Sequence, residues 1–284
     1  MHKTLRPYQQ EALTTLRQRL KQTSSPLLVT ASVGAGKSLI IAELLLIMER
    51  ASFRALCLTL NSTLIEQNAQ AYKLQQGHCG IYCAGLKSKC CKNLIVFASP
   101  HSVCQGIRNK DEISAQPFNL IIVDEAHNIN QHDNNSMYMR IFNHYGFMAQ
   151  QEQYSFRIVG LTGTPYRGKG ASIVGPKEFF KEEVCNISTS WLIAQGYLVR
   201  PEFGLHRDDA YDFNQLKVNN TGKFNGAQLS AIVDKNIRLT GKIMHALSDI
   251  MQNRVGCFIF ASTVKHCHEC SRSLPEVQWS IITG

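Results

Sequence analysis

The apolar run Leu27 to Thr30 opens directly onto Ala31-Ser32-Val33-Gly34-Ala35-Gly36-Lys37-Ser38, and that junction constrains the fold of this chain more than any other feature. A glycine-rich turn between a buried strand and a helix lets backbone N–H groups converge on phosphate oxygens, and the helix start adds its positive dipole end. Lys37 is placed to pair with β- and γ-phosphates, while Ser38 offers its hydroxyl to Mg²⁺. Ser32, Gly34, Ala35 and Gly36 complete the expected cradle for ATP. Ala31 stands where the strict form of this loop has its first glycine.

Two further polar motifs follow apolar runs in the same way. Leu120 to Val123 leads into Asp124-Glu125-Ala126-His127, and Ile158 to Leu161 into Thr162-Gly163-Thr164-Pro165. Asp124 is expected to hold Mg²⁺ through water, with Glu125 orienting and polarising the attacking water. Thr162 and Thr164 read either as a turn with local side-chain hydrogen bonds or, with His127, as a sensor of the γ-phosphate that couples it to movement. Further runs lie at Leu56 to Leu60 and Leu94 to Phe97, and helical patterns, such as Tyr8, Ala12, Leu13, Leu16 and Leu20, separate several of them. Strands alternating with helices imply an α/β fold with a parallel sheet covered on both faces. Such sheets bind ligands at the carboxyl ends of their strands, where all three motifs sit.

Residues 1–185 are expected to form this ATP-binding domain, 186–239 a connector, and 240–284 the beginning of a second, incomplete domain. From about Gly168 to Gly241, Gly, Asn and Asp are frequent and periodicity is poor apart from a helix-like Ser190 to Tyr197. The last stretch offers a helix over Ile243 to Met251, the run Cys257 to Phe260, a helix from about Val264 to Leu274 and the run Trp279 to Ile282. That is too little for an independent α/β core, so Phe258, Phe260, Trp279 and Ile281 predict aggregation or a partner surface.

A net charge of +9 favours polyanionic partners without establishing them. The N-terminus lacks a signal-peptide core, and the longest apolar stretch, Leu39 to Met48, contains Glu43 and is too short for a bilayer. Ten cysteines in a chain of 284 residues with nucleotide-binding motifs read as reduced thiols in a cytoplasm. Cys79, Cys83, Cys90 and Cys91 are cramped for one metal, and His266-Cys267-His268-Glu269-Cys270 on one helix needs ligands from elsewhere.

Leu5-Arg6-Pro7-Tyr8-Gln9 is by itself a helix start with Pro7 in the first turn. The ordered set of motifs, however, resembles superfamily 2 helicases of the DEAH-worded type. Ala84-Gly85-Leu86-Lys87, Phe97 to Val103 and Gly196-Tyr197-Leu198 resemble the RadD-like group of DNA-repair ATPases, related to type III restriction enzyme motor subunits. The resemblance implies a RecA-like P-loop NTPase domain followed by an incomplete second RecA-like domain. It makes Arg6, Tyr8 and Gln9 an adenine pocket. It also makes Thr59, Asn61, Gln67, Ser99, His101 and Ser102 contacts to one nucleic-acid strand, DNA before RNA, mostly through phosphate and sugar. Lys87, Lys89 and Lys92 add charge to that track or form a solvated face.

The implied activity is that of an ATP-dependent DNA helicase or translocase in repair or processing. The motifs that supply arginines from the second domain would lie beyond Gly284, so the chain reads as C-terminally truncated. An arginine finger is worth roughly 10³ to 10⁵ in rate, and turnover alone is expected to be slow. The alternative is a non-enzymatic, nucleotide-dependent nucleic-acid-binding module acting with a second polypeptide that carries the missing motifs.

Overall fold

Strands buried on both faces need apolar side chains at every position, and the runs of this chain become such strands. The computed structural model describes residues 4–167, 170–201, 211–214, 216–217, 224–252 and 254–283. It places β1 at Leu27–Ala31, β2 at Ala55–Leu58, β3 at Cys79–Cys83, β4 at Ser88–Lys89, β5 at Ile95–Ala98, β6 at Leu120–Asp124 and β7 at Arg157–Thr162. A short antiparallel pair, β8 (Tyr166–Arg167) with β9 (Ala171–Ser172), precedes β10 at Glu182–Ile187. The helices of this unit are α1 (Pro7–Gln22), α2 (Lys37–Arg50), α3 (Ser62–Leu74), α4 (Pro100–Asn109), α5 (Met137–Gln151) and α6 (Thr189–Ala194).

The main sheet has eight strands in the order β10-β1-β7-β6-β2-β5-β3-β4, parallel except where β4 turns back on β3. Alternation along each strand divides the core into two layers. Leu27 and Val29 of β1, with Ile122 of β6, pack towards α1, α2 and α3. Leu28, Ile121 and Val123 pack the other way, towards α4 and α5. Because the strands run the same way, the ends of β1, β7 and β6 are adjacent on one edge, and those of β2 and β5 follow on the same edge.

The first compact unit runs to Arg200, further than the boundary expected at residue 185. β10 explains the difference: it pairs with β1 in parallel, and Arg19 of α1 holds Glu182 with a two-bond fork of 2.8 and 2.5 Å. Its sequence, Glu-Glu-Val-Cys-Asn-Ile, is half polar because it lies at the sheet edge.

The second unit starts at Pro201, and its described helices are α7 (Gly226–Asp234), α8 (Ile237–Met251) and α9 (Val264–Ser273). Met244, Cys270 and Leu274 form its small core. The strands expected over Cys257 to Phe260 and Trp279 to Ile282 are coil, since a strand requires a paired neighbour and no described segment pairs with them. Phe258 and Phe260 are 86% and 96% exposed, whereas Trp279 folds back, donating its Nε1 to Leu274 O at 3.0 Å. Gly284 and much of the expected connector, including 202–210 and 218–223, lie outside the described residues. No described helix is long and apolar enough to cross a membrane.

Candidate nucleotide and strand-binding edge

The loop after β1 turns through left-handed backbone at Gly34 and Gly36, with φ of +85° and +81°, which side chains disfavour. Ala35 N donates to Ser32 O at 3.0 Å, and α2 then starts at Lys37. The carbonyl of Ala35 is held from outside by two donors, Tyr8 Oη at 3.1 Å and Gln9 Nε2 at 2.8 Å. Gln9 Oε1 accepts from Arg6 N at 2.9 Å, which closes the first turn of α1. A Cβ on Gly36 would stand 2.3 Å from Gln9 Nε2, so the fit between α1 and the loop depends on that glycine.

Tyr8 and Gln9 therefore meet the phosphate loop, and Arg6 joins them through its backbone N–H on Gln9. Three residues not expected there join them. The Tyr8 ring meets Trp191 and Tyr197 edge-on, at 5.4 and 4.9 Å between centroids, and the Arg6 guanidinium lies 5.0 Å over Tyr197. Leu198 packs on Gly34. Ser38 is exposed at the start of α2, and Ser32 Oγ is buried with no hydrogen-bond partner among the described residues.

The sheet order sets β7 between β1 and β6, and the polar side chains at these three ends form one connected group. Lys37 Nζ lies 3.3 Å from Glu125 Oε1. Glu125 Oε2 is 3.4 Å from His127 Nδ1, which is 2.9 Å from Thr162 Oγ1. Asn128 Nδ2 faces His127 Nε2 at 3.3 Å, so a neutral ring with its proton on Nδ1 donates towards Glu125 and Thr162. Thr162 Oγ1 in turn donates to Thr164 O and accepts from Thr164 N, both at 3.1 Å. Lys37, Glu125, His127, Thr162 and Thr164 are thus brought together.

Asp124 sits beneath this group, almost fully buried. Its Oδ1 accepts from Glu125 N at 3.0 Å and its Oδ2 from Asn68 Nδ2 of α3 at 2.9 Å. Burial pushes its carboxyl above the ordinary value; the Asn68 hydrogen bond opposes this, the charge of Glu125 adds to it, and Lys37 opposes it. Asn68 escaped the sequence reading. Its signal was a single polar residue in the stripe Ile65, Asn68, Ala69, Tyr72, which α3 buries. Asp124 and Ser38 present hard oxygen donors, one anionic and one neutral, and each Asp124 oxygen retains lone-pair capacity. That donor set fits Mg²⁺, which would take its remaining ligands from water and phosphate.

The residues expected on a nucleic-acid strand lie after β2 and β5 and on α3 and α4. Several of them have local partners. Thr59 is buried, Asn61 caps α3 by accepting from Thr63 N at 2.8 Å, and Ser99 caps α4 by accepting from Ser102 N at 3.2 Å. Ser102 Oγ accepts from Ser99 Oγ and from Ala84 N. Gln67 and His101 are exposed. Lys89 pairs with Asp111 at 3.1 Å, and Lys87 and Lys92 are exposed. All ten cysteines are free thiols, and burial raises those of Cys79 and Cys91. Among the described residues no group of three or more His, Cys, Asp or Glu side chains is arranged to hold a metal ion.

A family profile described as "Type III restriction enzyme, res subunit" matches residues 2–167. No curated protein matches the sequence. Among solved structures, the chain is similar to the ATP-dependent type ISP restriction-modification enzyme LlaBIII bound to DNA. The identity is 14% and the TM-score 0.50, over 69% of this chain and 16% of that one. A nuclease-deletion mutant of the type ISP enzyme LlaGI, in complex with a DNA substrate mimic, is similar at 16% identity and TM-score 0.48, over 69% and 21%. The Hef helicase domain of Pyrococcus furiosus is similar at 19% identity and TM-score 0.45, over 58% and 34%. The chain therefore spans well under half the length of these structures, and at this identity the likeness to LlaBIII speaks for the fold alone.

Proposed function

The chain belongs to the family of the type III restriction enzyme res subunit, and from that premise we propose that it is the ATP-binding part of a superfamily 2 DNA translocase or helicase serving DNA repair or processing. The observation that carries this reading is the ion pair between Lys37 and Glu125, joined through His127 to Thr162 at the shared edge of β1, β7 and β6.

Lys37 neutralises Glu125 across 3.3 Å. An arriving triphosphate offers Lys37 a stronger set of anionic oxygens, and the exchange frees Glu125 to orient water at the γ-phosphorus. His127 and Thr162 share that carboxylate's surroundings, so its release is felt at Thr164 on the far side of the network. Mg²⁺, held by Asp124 through water and by Ser38, would neutralise charge on the β- and γ-phosphates. Arg6, Tyr8 and Gln9 are the proposed base pocket, and Gln9 and Tyr8 tie base recognition to the phosphate loop through Ala35. Asn61, Gln67 and His101 are the exposed side chains of this set on the β2 and β5 side, placed to meet a DNA strand, with Thr59, Ser99 and Ser102 shaping the surface beneath.

Turnover by the 284 residues alone is expected to be slow, because an arginine opposite the γ-phosphate comes from a second RecA-like domain in such motors, and the second described unit is helical. The exposed Phe258 and Phe260 favour a second reading, in which the chain binds nucleotide and DNA together with a partner polypeptide. ATP hydrolysis with and without single- and double-stranded DNA, alongside nucleotide binding, tests both for wild type, Lys37→Ala and Glu125→Gln. Binding through Lys37 with slow turnover that DNA does not stimulate is the expected result. DNA-stimulated, Lys37-dependent turnover would contradict slow turnover alone, and absence of nucleotide binding would sink the reading altogether.

A further inference from the structure

We propose that Asn68 is a positioning residue for the carboxylate of Asp124, an inference that rests on the nucleotide reading above. α3 buries Ile65, Asn68, Ala69 and Tyr72 against the sheet, and Asn68 is the one side chain in that stripe whose amide enters the core. It is 3% exposed, and its Nδ2 donates to Asp124 Oδ2 at 2.9 Å. The other oxygen, Oδ1, accepts from Glu125 N at 3.0 Å. The last torsion of a carboxylate is intrinsically broad, and a single hydrogen bond restrains it less tightly than two. Two donors, one from its own strand end and one from a neighbouring helix, fix its plane.

The helix that supplies the second donor is itself anchored. Asn61 caps its start, and near its end Tyr72 donates to Glu49 Oε2 at 2.6 Å while its ring packs on Phe97. Asn68 is therefore held by the fold independently of any ligand, and so is the orientation of Asp124. Partners of this kind, behind the groups that hold a metal, usually change metal affinity about tenfold or more when removed.

The test is a calorimetric titration of the 284-residue chain with ADP, in Mg²⁺ and in chelator, for wild type and Asn68→Leu, which keeps the branching of the side chain and removes its donor. Wild type is expected to bind ADP more tightly with Mg²⁺. Asn68→Leu should match wild type in chelator and lose about tenfold of the Mg²⁺ gain. Should the leucine variant fail to fold, Asn68→Ser, smaller and polar, carries the same comparison. A variant that keeps the full Mg²⁺ gain, whatever its melting temperature, overturns the inference while leaving the nucleotide site standing. A wild type that binds ADP but gains nothing from Mg²⁺ overturns the inference alone, and a wild type that binds no ADP overturns the nucleotide reading with it.

Discussion

Along one edge of one sheet, β1, β7 and β6 end in side chains that bind each other, whereas β2 and β5 end in side chains that cap helices. In the first half, Lys37, Glu125, His127 and Thr162 form a chain of ionic and hydrogen-bonded contacts. In the second, Asn61 and Ser99 hold the starts of α3 and α4, and Gln67 and His101 point outward. The difference teaches that a polar residue after a strand has two kinds of use, and that only its partners tell them apart. Asn68 crosses between the halves, since it belongs to α3 and binds Asp124.

The comparison breaks first at Glu125. Glu125→Gln should lower ATP turnover by about 10²- to 10⁴-fold, the usual range for a group acting on the attacking water, while nucleotide binding persists. Single-turnover hydrolysis with DNA present measures it. Equal turnover in the variant would move the water-orienting role elsewhere. Next in size, Lys37→Ala should weaken ATP binding by about 1.5 to 3 kcal/mol, the scale of a hydrogen bond to a charged group. It also leaves Glu125 without its cation, so titration of the same variant with a DNA oligonucleotide sharpens the contrast: that affinity should hold.

How much of this was legible follows from the same contrast. β1, β2, β5, β6 and β7 were readable because strands buried on both faces leave uninterrupted apolar runs. β10 was hidden, since Glu182 and Glu183 suit an edge, and Glu182 is drawn in by Arg19, a residue far away in sequence. β3, Cys-Gly-Ile-Tyr-Cys, is short and interrupted by a glycine that backs onto the Cys90 carbonyl. In the second unit the apolar runs Cys257 to Phe260 and Trp279 to Ile282 misled, because a run specifies burial and not the strand partner that completes it. At the site, Lys37, Asp124, Glu125 and Thr162 were legible as strand-end residues on one side of a parallel sheet, and the order β1-β7-β6 then brings them together. Asn68 was not, because its role depends on which face α3 turns to β6, and Trp191 and Tyr197 depend on the path of the chain after β10.

Smaller effects test the second half. Ser99→Ala removes the cap of α4 and should cost about 1 kcal/mol of stability, seen as a lower denaturant midpoint. ATP binding should stay as it was, and a drop there would mean that α4 belongs to the nucleotide half. His101→Ala should leave stability within about 0.5 kcal/mol, as exposed side chains do. Its effect should appear as a loss of about 1 kcal/mol in single-stranded DNA affinity, the size of one hydrogen bond. Unchanged affinity would remove His101 from the strand surface.

The measurement that bears most directly on the account is a paired titration of wild type, Lys37→Ala and His101→Ala, each with Mg²⁺–ATP and with a single-stranded oligonucleotide. The account predicts a crossed result: Lys37→Ala loses nucleotide and keeps the oligonucleotide, and His101→Ala keeps nucleotide and binds the oligonucleotide more weakly. Nucleotide binding that is indifferent to Lys37 would contradict the assignment of ATP to the shared end of β1, β7 and β6.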